Sequence, residues 1–309
     1  MPIQREGIYA ASITPFDFEG VPALHALVPH LQRLQAGGCH GVLLLGTTGE
    51  GPSLGVEERL AVIRAGVAER GNLKILAGTG AASLTDAAAM TSGAFDAGVD
   101  GVVIVPPFYY QDTPLEGLFA FYYEVMTRAV PSDGAVFLYH IPNVSGVPIQ
   151  FELIRRLRDQ FPDQLAGIKD SSGNIEHARR LCAEFPDLTV FVGDDHLLAD
   201  ALAAGACGSI TALTNIFPGL VRAVYDAFRA GQPTDEAQRR LSAARDGLQG
   251  LPLSAAVKAI LLAANLLPND YVRPPLRRLN PDQEAVLRAH FPLGHDLVES
   301  MAREMGLEP

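Results

Sequence analysis

Short apolar runs alternate with longer amphipathic stretches through most of this chain. The runs occupy residues 7–14, 41–46, 74–80, 101–107, 135–142, 165–172, 189–195 and 207–213. They are apolar almost throughout, as strands are when both faces of their sheet are covered. Each leads into a loop containing Gly, Ser, Thr or Pro. The stretches between them carry helical spacing: Val56, Leu60, Ile63 and Val67 fall on one face of 56–70. Ser83 opens 83–97 as an N-cap, with Asp86 three residues on. Pro114 opens 114–130 as its first helical residue, after Thr113. Stretches 150–161 and 175–185 each stop one residue before a proline.

Eight strand–helix units predict an α/β protein, a closed (β/α)8 TIM barrel of parallel strands. An open doubly wound sheet is the rival. Its commonest ligand signature, a Gly-x-Gly-x-x-Gly turn after the first strand, is absent. Beyond the eighth unit no convincing strand remains. Stretches 217–230, 234–248, 254–266 and 281–290 read as helices, and the tail from His295 reads as another. The expected organisation is a barrel over 1–232 and a C-terminal helical region, 233–309, packed on it.

Composition narrows the function. The chain is 48% hydrophobic and 19% charged, which suits a folded protein. Its formal net charge of -11 argues against nucleic acid or an anionic membrane as partner. No secretory signal and no apolar run of membrane-spanning length is visible, so a cytoplasmic location is expected. Cys39, Cys182 and Cys207 are scattered, odd in number and set among apolar residues, which points to core packing.

The active end of such a barrel is at the C-terminal ends of its strands. The sixth run carries Lys169, inside Leu165-Ala166-Gly167-Ile168-Lys169-Asp170-Ser171-Ser172-Gly173. Only three lysines, Lys74, Lys169 and Lys258, occur among 24 basic residues, so a lysine in an apolar strand asks for a reason. Desolvation disfavours an ammonium, and a neutral amine can attack a carbonyl to form a Schiff base. The alternative is a strand-end lysine paired with Asp170 or a helix terminus. The second run ends in Gly46-Thr47-Thr48-Gly49-Glu50-Gly51, a turn whose amides and hydroxyls can hold a carboxylate. The fourth ends near Phe108-Tyr109-Tyr110 and the fifth in Tyr139-His140-Ile141-Pro142-Asn143. The seventh ends in Gly193-Asp194-Asp195-His196, and the eighth carries Ser209, Ile210 and Thr211. A tyrosine beside an imine-forming lysine can move the protons that the chemistry requires.

On Gly46-Thr47-Thr48-Gly49-Glu50, Tyr139 with Ile141-Pro142, Gly167-Ile168-Lys169 and Gly193-Asp194-Asp195, the chain resembles the dihydrodipicolinate synthase / N-acetylneuraminate lyase superfamily. Order and spacing match over essentially the whole chain. The resemblance implies a class I aldolase mechanism through Lys169, with pyruvate or another 2-oxo acid and an aldehyde as reactants. It implies no metal and no organic cofactor, and a homotetramer built as a dimer of dimers. Tyr139 is then the proton relay, and Thr48 links it to a tyrosine from the neighbouring subunit, best matched by Tyr109 with Tyr110 as the alternative. Thr47, Thr48, Gly193, Asp195 and Ile210 are the implied substrate-binding residues.

Two departures bear on substrate. The synthases carry an arginine five residues after the relay tyrosine, for the carboxylate of the incoming aldehyde; here that position is Val144, and no arginine lies between Arg128 and Arg155. Sialic acid lyases show Gly-x-Asp-Glu after the seventh strand, whereas here Asp195 is followed by His196. The expectation is therefore a lyase or aldolase of a 2-keto-3-deoxy or 4-hydroxy-2-oxo acid. Dihydrodipicolinate synthase is the alternative, and a non-catalytic 2-oxo acid binder a third reading. Lys258, in an apolar helix, suggests snorkelling or an ion pair. Lys74 belongs to the opposite face of the barrel. Asp170 and His140 alternate away from the mouth and read as structural, while His196 is a candidate substrate contact. The arginine pairs at 155–156, 179–180, 239–240 and 277–278 read as solvated faces.

Overall fold

The structure, a computed structural model, describes residues 6–291. Eight parallel strands close into one barrel in sequence order. They are β1 (Gly7–Ala11), β2 (Gly41–Leu44), β3 (Lys74–Gly78), β4 (Gly101–Ile104), β5 (Val136–His140), β6 (Leu165–Asp170), β7 (Thr189–Val192) and β8 (Gly208–Thr211). Around them run α1 (Leu24–Ala36), α2 (Val56–Ala68), α3 (Leu84–Asp96), α4 (Leu115–Ala129), a single turn α5 (Pro142–Ser145), α6 (Phe151–Gln160), α7 (Ile175–Glu184), α8 (Leu198–Ala203) and α9 (Pro218–Arg229). The helices α10 (Asp235–Asp246), α11 (Leu253–Ala263) and α12 (Pro281–His290) complete the described chain. The expected helix after His295 lies outside the described residues. No helix among the described residues is long and apolar enough to cross a membrane.

Local signals account for most element ends. Ser83 Oγ accepts from Asp86 N at 3.0 Å, capping α3 as its spacing predicted. Asn174 caps α7 in the same way, accepting from Glu176 N at 3.0 Å. Pro114 stands one position earlier than expected: it is extended, and the helix begins at Leu115. The seam between β8 and β1 is stitched by Asn215, whose Nδ2 donates to Ala11 O at 2.8 Å and whose Oδ1 accepts from Ile13 N at 3.1 Å.

Two cores result. Inside the barrel, Tyr9, Leu43, Leu76, Val103, Phe137, Phe191 and Ile210 interdigitate. Outside it, one continuous cluster joins the helix layer to Leu241, Val257, Ile260, Leu261 and Leu287 of the last three helices. The barrel and the C-terminal region thus share buried surface. Cys39 is buried, and burial pushes its thiol up to about 12, in keeping with a packing role. Cys182 and Cys207 are half-buried and form no disulfide among the described residues.

One irregularity matters for the site. Val136 pairs with Leu165, but Phe137 pairs with Gly167, so Ala166 has no residue opposite. Ala166 belongs to the inner core while Ile168 belongs to the outer one, although two residues apart in a strand normally share a face. The slip reverses the parity of β6 and turns Lys169 into the barrel, opposite Tyr139.

Candidate active site

Lys169 is 3% exposed. Its Nζ donates to Tyr139 OH at 3.2 Å and lies 4.3 Å from the centre of the Tyr139 ring. Thr47 Oγ1 stands 3.4 Å from the same phenol oxygen. Burial works to raise the Tyr139 pKa, but the Lys169 charge and hydrogen bonds from Thr47, Lys169 and Ser171 outweigh it and lower the phenol below its ordinary value. A phenol biased toward giving up its proton, beside a buried primary amine, can both donate and accept a proton there.

Around this pair opens a cavity of about 320 Å³. Its walls bring together Thr47, Thr48, Tyr139, Lys169, Gly193, Asp195 and Ile210, from β2, β5, β6, β7 and β8 and the loops after them. Asp195 is buried, and burial pushes its carboxyl up to about 6 against a hydrogen bond from Thr211. A Cβ on Gly193 would stand 1.9 Å from Ser171 Oγ, so the glycine makes room for that hydroxyl. Beside Tyr139 a second, mostly apolar cavity of about 180 Å³ is lined by Leu43, Val103, Phe108, Tyr139 and Val144 among others.

Several expectations need correcting. The threonine within bonding reach of Tyr139 is Thr47, not Thr48. Leu45 has a left-handed backbone (φ 59°), so strand alternation stops before the threonines and cannot tell which one faces the phenol. Tyr109 and Tyr110 are 76% and 74% exposed and line neither of these two cavities, so no expectation is overturned for them: the resemblance assigns that tyrosine to a neighbouring subunit's site, not to its own. Glu50, in the same turn as the two threonines, is turned away from the cavity and buried. It accepts from Lys258 Nζ at 2.5 Å and from Arg273 N at 2.8 Å. Lys258 is thus ion-paired, and being 1% exposed on its side chain it does not snorkel. His196 does not line the cavity: its ring bridges Asp194 and Asp246.

Other expectations hold. Lys74 pairs with Asp100 at 3.0 Å at the far face. Asp170 faces outward, with Oδ1 accepting from Ser172 N and Oδ2 lying 2.9 Å from His177 Nδ1. His140 Nδ1 accepts from Ile149 N at 3.0 Å. His140, Asp170 and His177 bring ligand-type atoms within 4.8 Å of one another. The two rings stack at 14°, however, and the His140 Nδ1 lone pair already has a partner, so their in-plane lone pairs do not converge as a metal requires.

Residues absent from the sequence reading also line the cavity. Ser171 could have been found, since it lies two residues from Lys169 on the same strand face. Arg245, near the end of α10, and Leu253, at the start of α11, had no signal: they reach the mouth only through the packing of the C-terminal helices.

A (β/α)8 barrel with a buried lysine and tyrosine at its mouth defines a class of small-molecule lyases and aldolases. Residues 4–291 match the model of the dihydrodipicolinate synthetase family, and the chain belongs to that family. It is 45% identical over 289 residues to a protein of Chloroflexus aurantiacus named an uncharacterized DapA-like lyase, covering 93% of this chain and 96% of that one. It is 31% identical to the 4-hydroxy-tetrahydrodipicolinate synthase of Methanopyrus kandleri, over 93% of this chain and 96% of the relative. Among solved structures it is similar to the 4-hydroxy-tetrahydrodipicolinate synthase of Methylacidiphilum fumariolicum, with a TM-score of 0.88 and 28% identity over 97% of this chain and 98% of that one.

Proposed function

We propose that the protein is a Schiff-base aldolase that cleaves a 2-keto-3-deoxy or 4-hydroxy-2-oxo acid to pyruvate and an aldehyde, or runs the reverse condensation. The observation that carries this reading is the contact of 3.2 Å between the Lys169 amine and the Tyr139 phenol inside an otherwise apolar barrel. The amine attacks C2 of the 2-oxo acid. Tyr139 gives its proton to the departing hydroxyl, water leaves, and the imine forms. Tyr139, now a phenolate, takes the proton from the C4 hydroxyl as the C3–C4 bond breaks. The electron pair of that bond moves into the protonated imine, leaving an enamine and releasing the aldehyde. Protonation at C3 and hydrolysis then give pyruvate and free Lys169. Thr47 and Thr48 hold the substrate carboxylate, and Asp195 and Ile210 flank the carbon chain.

The test is reduction with borohydride in the presence of pyruvate. One stable adduct is expected, located on Lys169 by digestion and mass spectrometry, and lost in Lys169→Arg because guanidinium stays protonated. Labelling at Lys74 or Lys258 would overturn the assignment. A retro-aldol screen of 2-keto-3-deoxy sugar acids and 4-hydroxy-2-oxoglutarate, read as pyruvate released, then finds the substrate.

Dihydrodipicolinate synthase is the second reading, favoured by the names of relatives such as the Methanopyrus protein. Against it stands Val144, 64% exposed and without a donor where the resemblance leads one to expect arginine. Condensation of pyruvate with aspartate semialdehyde is expected to run below about 10⁴ M⁻¹s⁻¹, under the ordinary enzyme range. An efficiency at or above that figure makes the second reading the right one.

A further inference from the structure

The helix α10 is fastened to the loop after β7. Gln238 Nε2 donates to Asp195 O at 2.9 Å, and Gln238 Oε1 accepts from Ala199 N at 2.9 Å. Eight residues along the same helix, Asp246 Oδ1 meets His196 Nε2 at 2.9 Å. Residues 238, 242, 245 and 246 fall on one face of a helix, so these clasps set the orientation of Arg245 between them. Arg245 thereby lines the cavity that holds Lys169, on the side of Asp195. It is half-buried, and among the described residues its guanidinium makes no hydrogen bond and no ion pair within 4 Å. Its charge is felt at Asp195 without a contact between them. Arg59 also lines a cavity, but its guanidinium is already engaged with Gly78 O and Gly80 O. At the β5 loop, Val144 offers no donor. On the side of Asp195 the Lys169 cavity therefore carries one guanidinium, presented by a clasped helix and without a hydrogen-bond or ion-pair partner among the described residues.

We propose that Arg245 is a specificity residue that binds an anionic group, a carboxylate or a phosphate, at the end of the substrate remote from Lys169. This rests on the reading of Lys169 as the imine-forming residue only in fixing which end of the substrate is which. A planar guanidinium with several donors suits either anion, and a local cation is needed to draw an anion to a chain of net charge -11. The substrate class is then a 2-oxo acid with a second acidic group at its distal end.

The test is equilibrium binding, which needs no turnover. The wild-type protein should bind 2-oxoglutarate about tenfold or more tighter than 2-oxopentanoate, a monoanion of equal length whose distal end is uncharged, or bind a 2-keto-3-deoxy acid 6-phosphate tighter than the free sugar acid by a similar factor. Whichever pair shows the preference identifies the anion as carboxylate or phosphate. In Arg245→Gln the preference should fall to near one, and Arg245→Lys should keep part of it. A guanidinium serving only as a helix-end charge or a counter-charge to Asp195 would change the melting temperature and leave the preference untouched, and that result overturns the proposal. So does a wild-type protein with no preference in either pair. Borohydride trapping on the same samples separates the two readings. A preference that depends on Arg245 without an adduct on Lys169 sinks the aldolase assignment and keeps Arg245. An adduct with no preference does the reverse.

Discussion

At the scale of single residues the site turns on one phenol. Tyr139 is almost fully buried, a setting that opposes ionisation, yet Lys169, Thr47 and Ser171 together bias it the other way. Tyr139→Phe removes one hydroxyl and almost no volume, so the barrel should keep its melting temperature. Turnover should fall about 10²–10⁴-fold, as for a lost general acid–base, while affinity for pyruvate changes far less. Near-normal turnover in that variant would mean that the protons travel by another route. The lysine, the tyrosine and the threonine pair were legible in the sequence because each ends an apolar run. Which threonine meets the phenol was not legible, since the left-handed Leu45 breaks the two-residue rhythm just before them. Ser171 was within reach of the same rhythm and was passed over.

At the scale of elements, the barrel strands and most helix boundaries follow from apolar runs, caps and prolines. Two features do not. The unpaired Ala166 that turns Lys169 inward leaves no trace in composition, because both parities of β6 are apolar up to the lysine. The docking of α10 depends on pairs far apart in sequence, such as His196 with Asp246 and Gln238 with Asp195. That docking has a pH signature. Partial burial works to lower the His196 pKa, but hydrogen bonds to Asp246 and Asp194 outweigh it and raise it above the ordinary 6.5. A raised pKa in the folded state means the contribution to stability is complete below the unfolded value. It is lost as pH rises through the folded one. Thermal unfolding of the wild type and His196→Ala should therefore differ more at about pH 6 than at about pH 9, with the wild type losing its advantage on the alkaline side. A difference independent of pH would mean that the ring holds α10 by shape and neutral hydrogen bonds alone.

At the scale of the whole molecule, one face beside the site is unfinished in a single chain. Tyr109 and Tyr110 stand out at 76% and 74% exposure with their rings 5.2 Å apart, and Val144 is 64% exposed close by. Phe108 and Val144 line the apolar cavity that also reaches Tyr139. Exposed aromatic and apolar groups gathered at the rim of an active site mark a contact surface more often than a solvated one. From the family resemblance we expect the partner to be a second copy of this chain, with Tyr109 extending toward the neighbour's relay. The protein is therefore expected to sediment as a multiple of its 32.9 kDa chain, with the tetramer the expected species. Tyr109→Ala should loosen that assembly or, where the assembly persists, reduce turnover while Lys169 still forms its adduct with pyruvate. The two effects separate by concentration: a fault of assembly recovers at high protein concentration, whereas a missing relay group does not. A monomer with full turnover would leave Tyr109 without a catalytic part, and the proton path would then lie wholly among Tyr139, Thr47 and Ser171 of one chain.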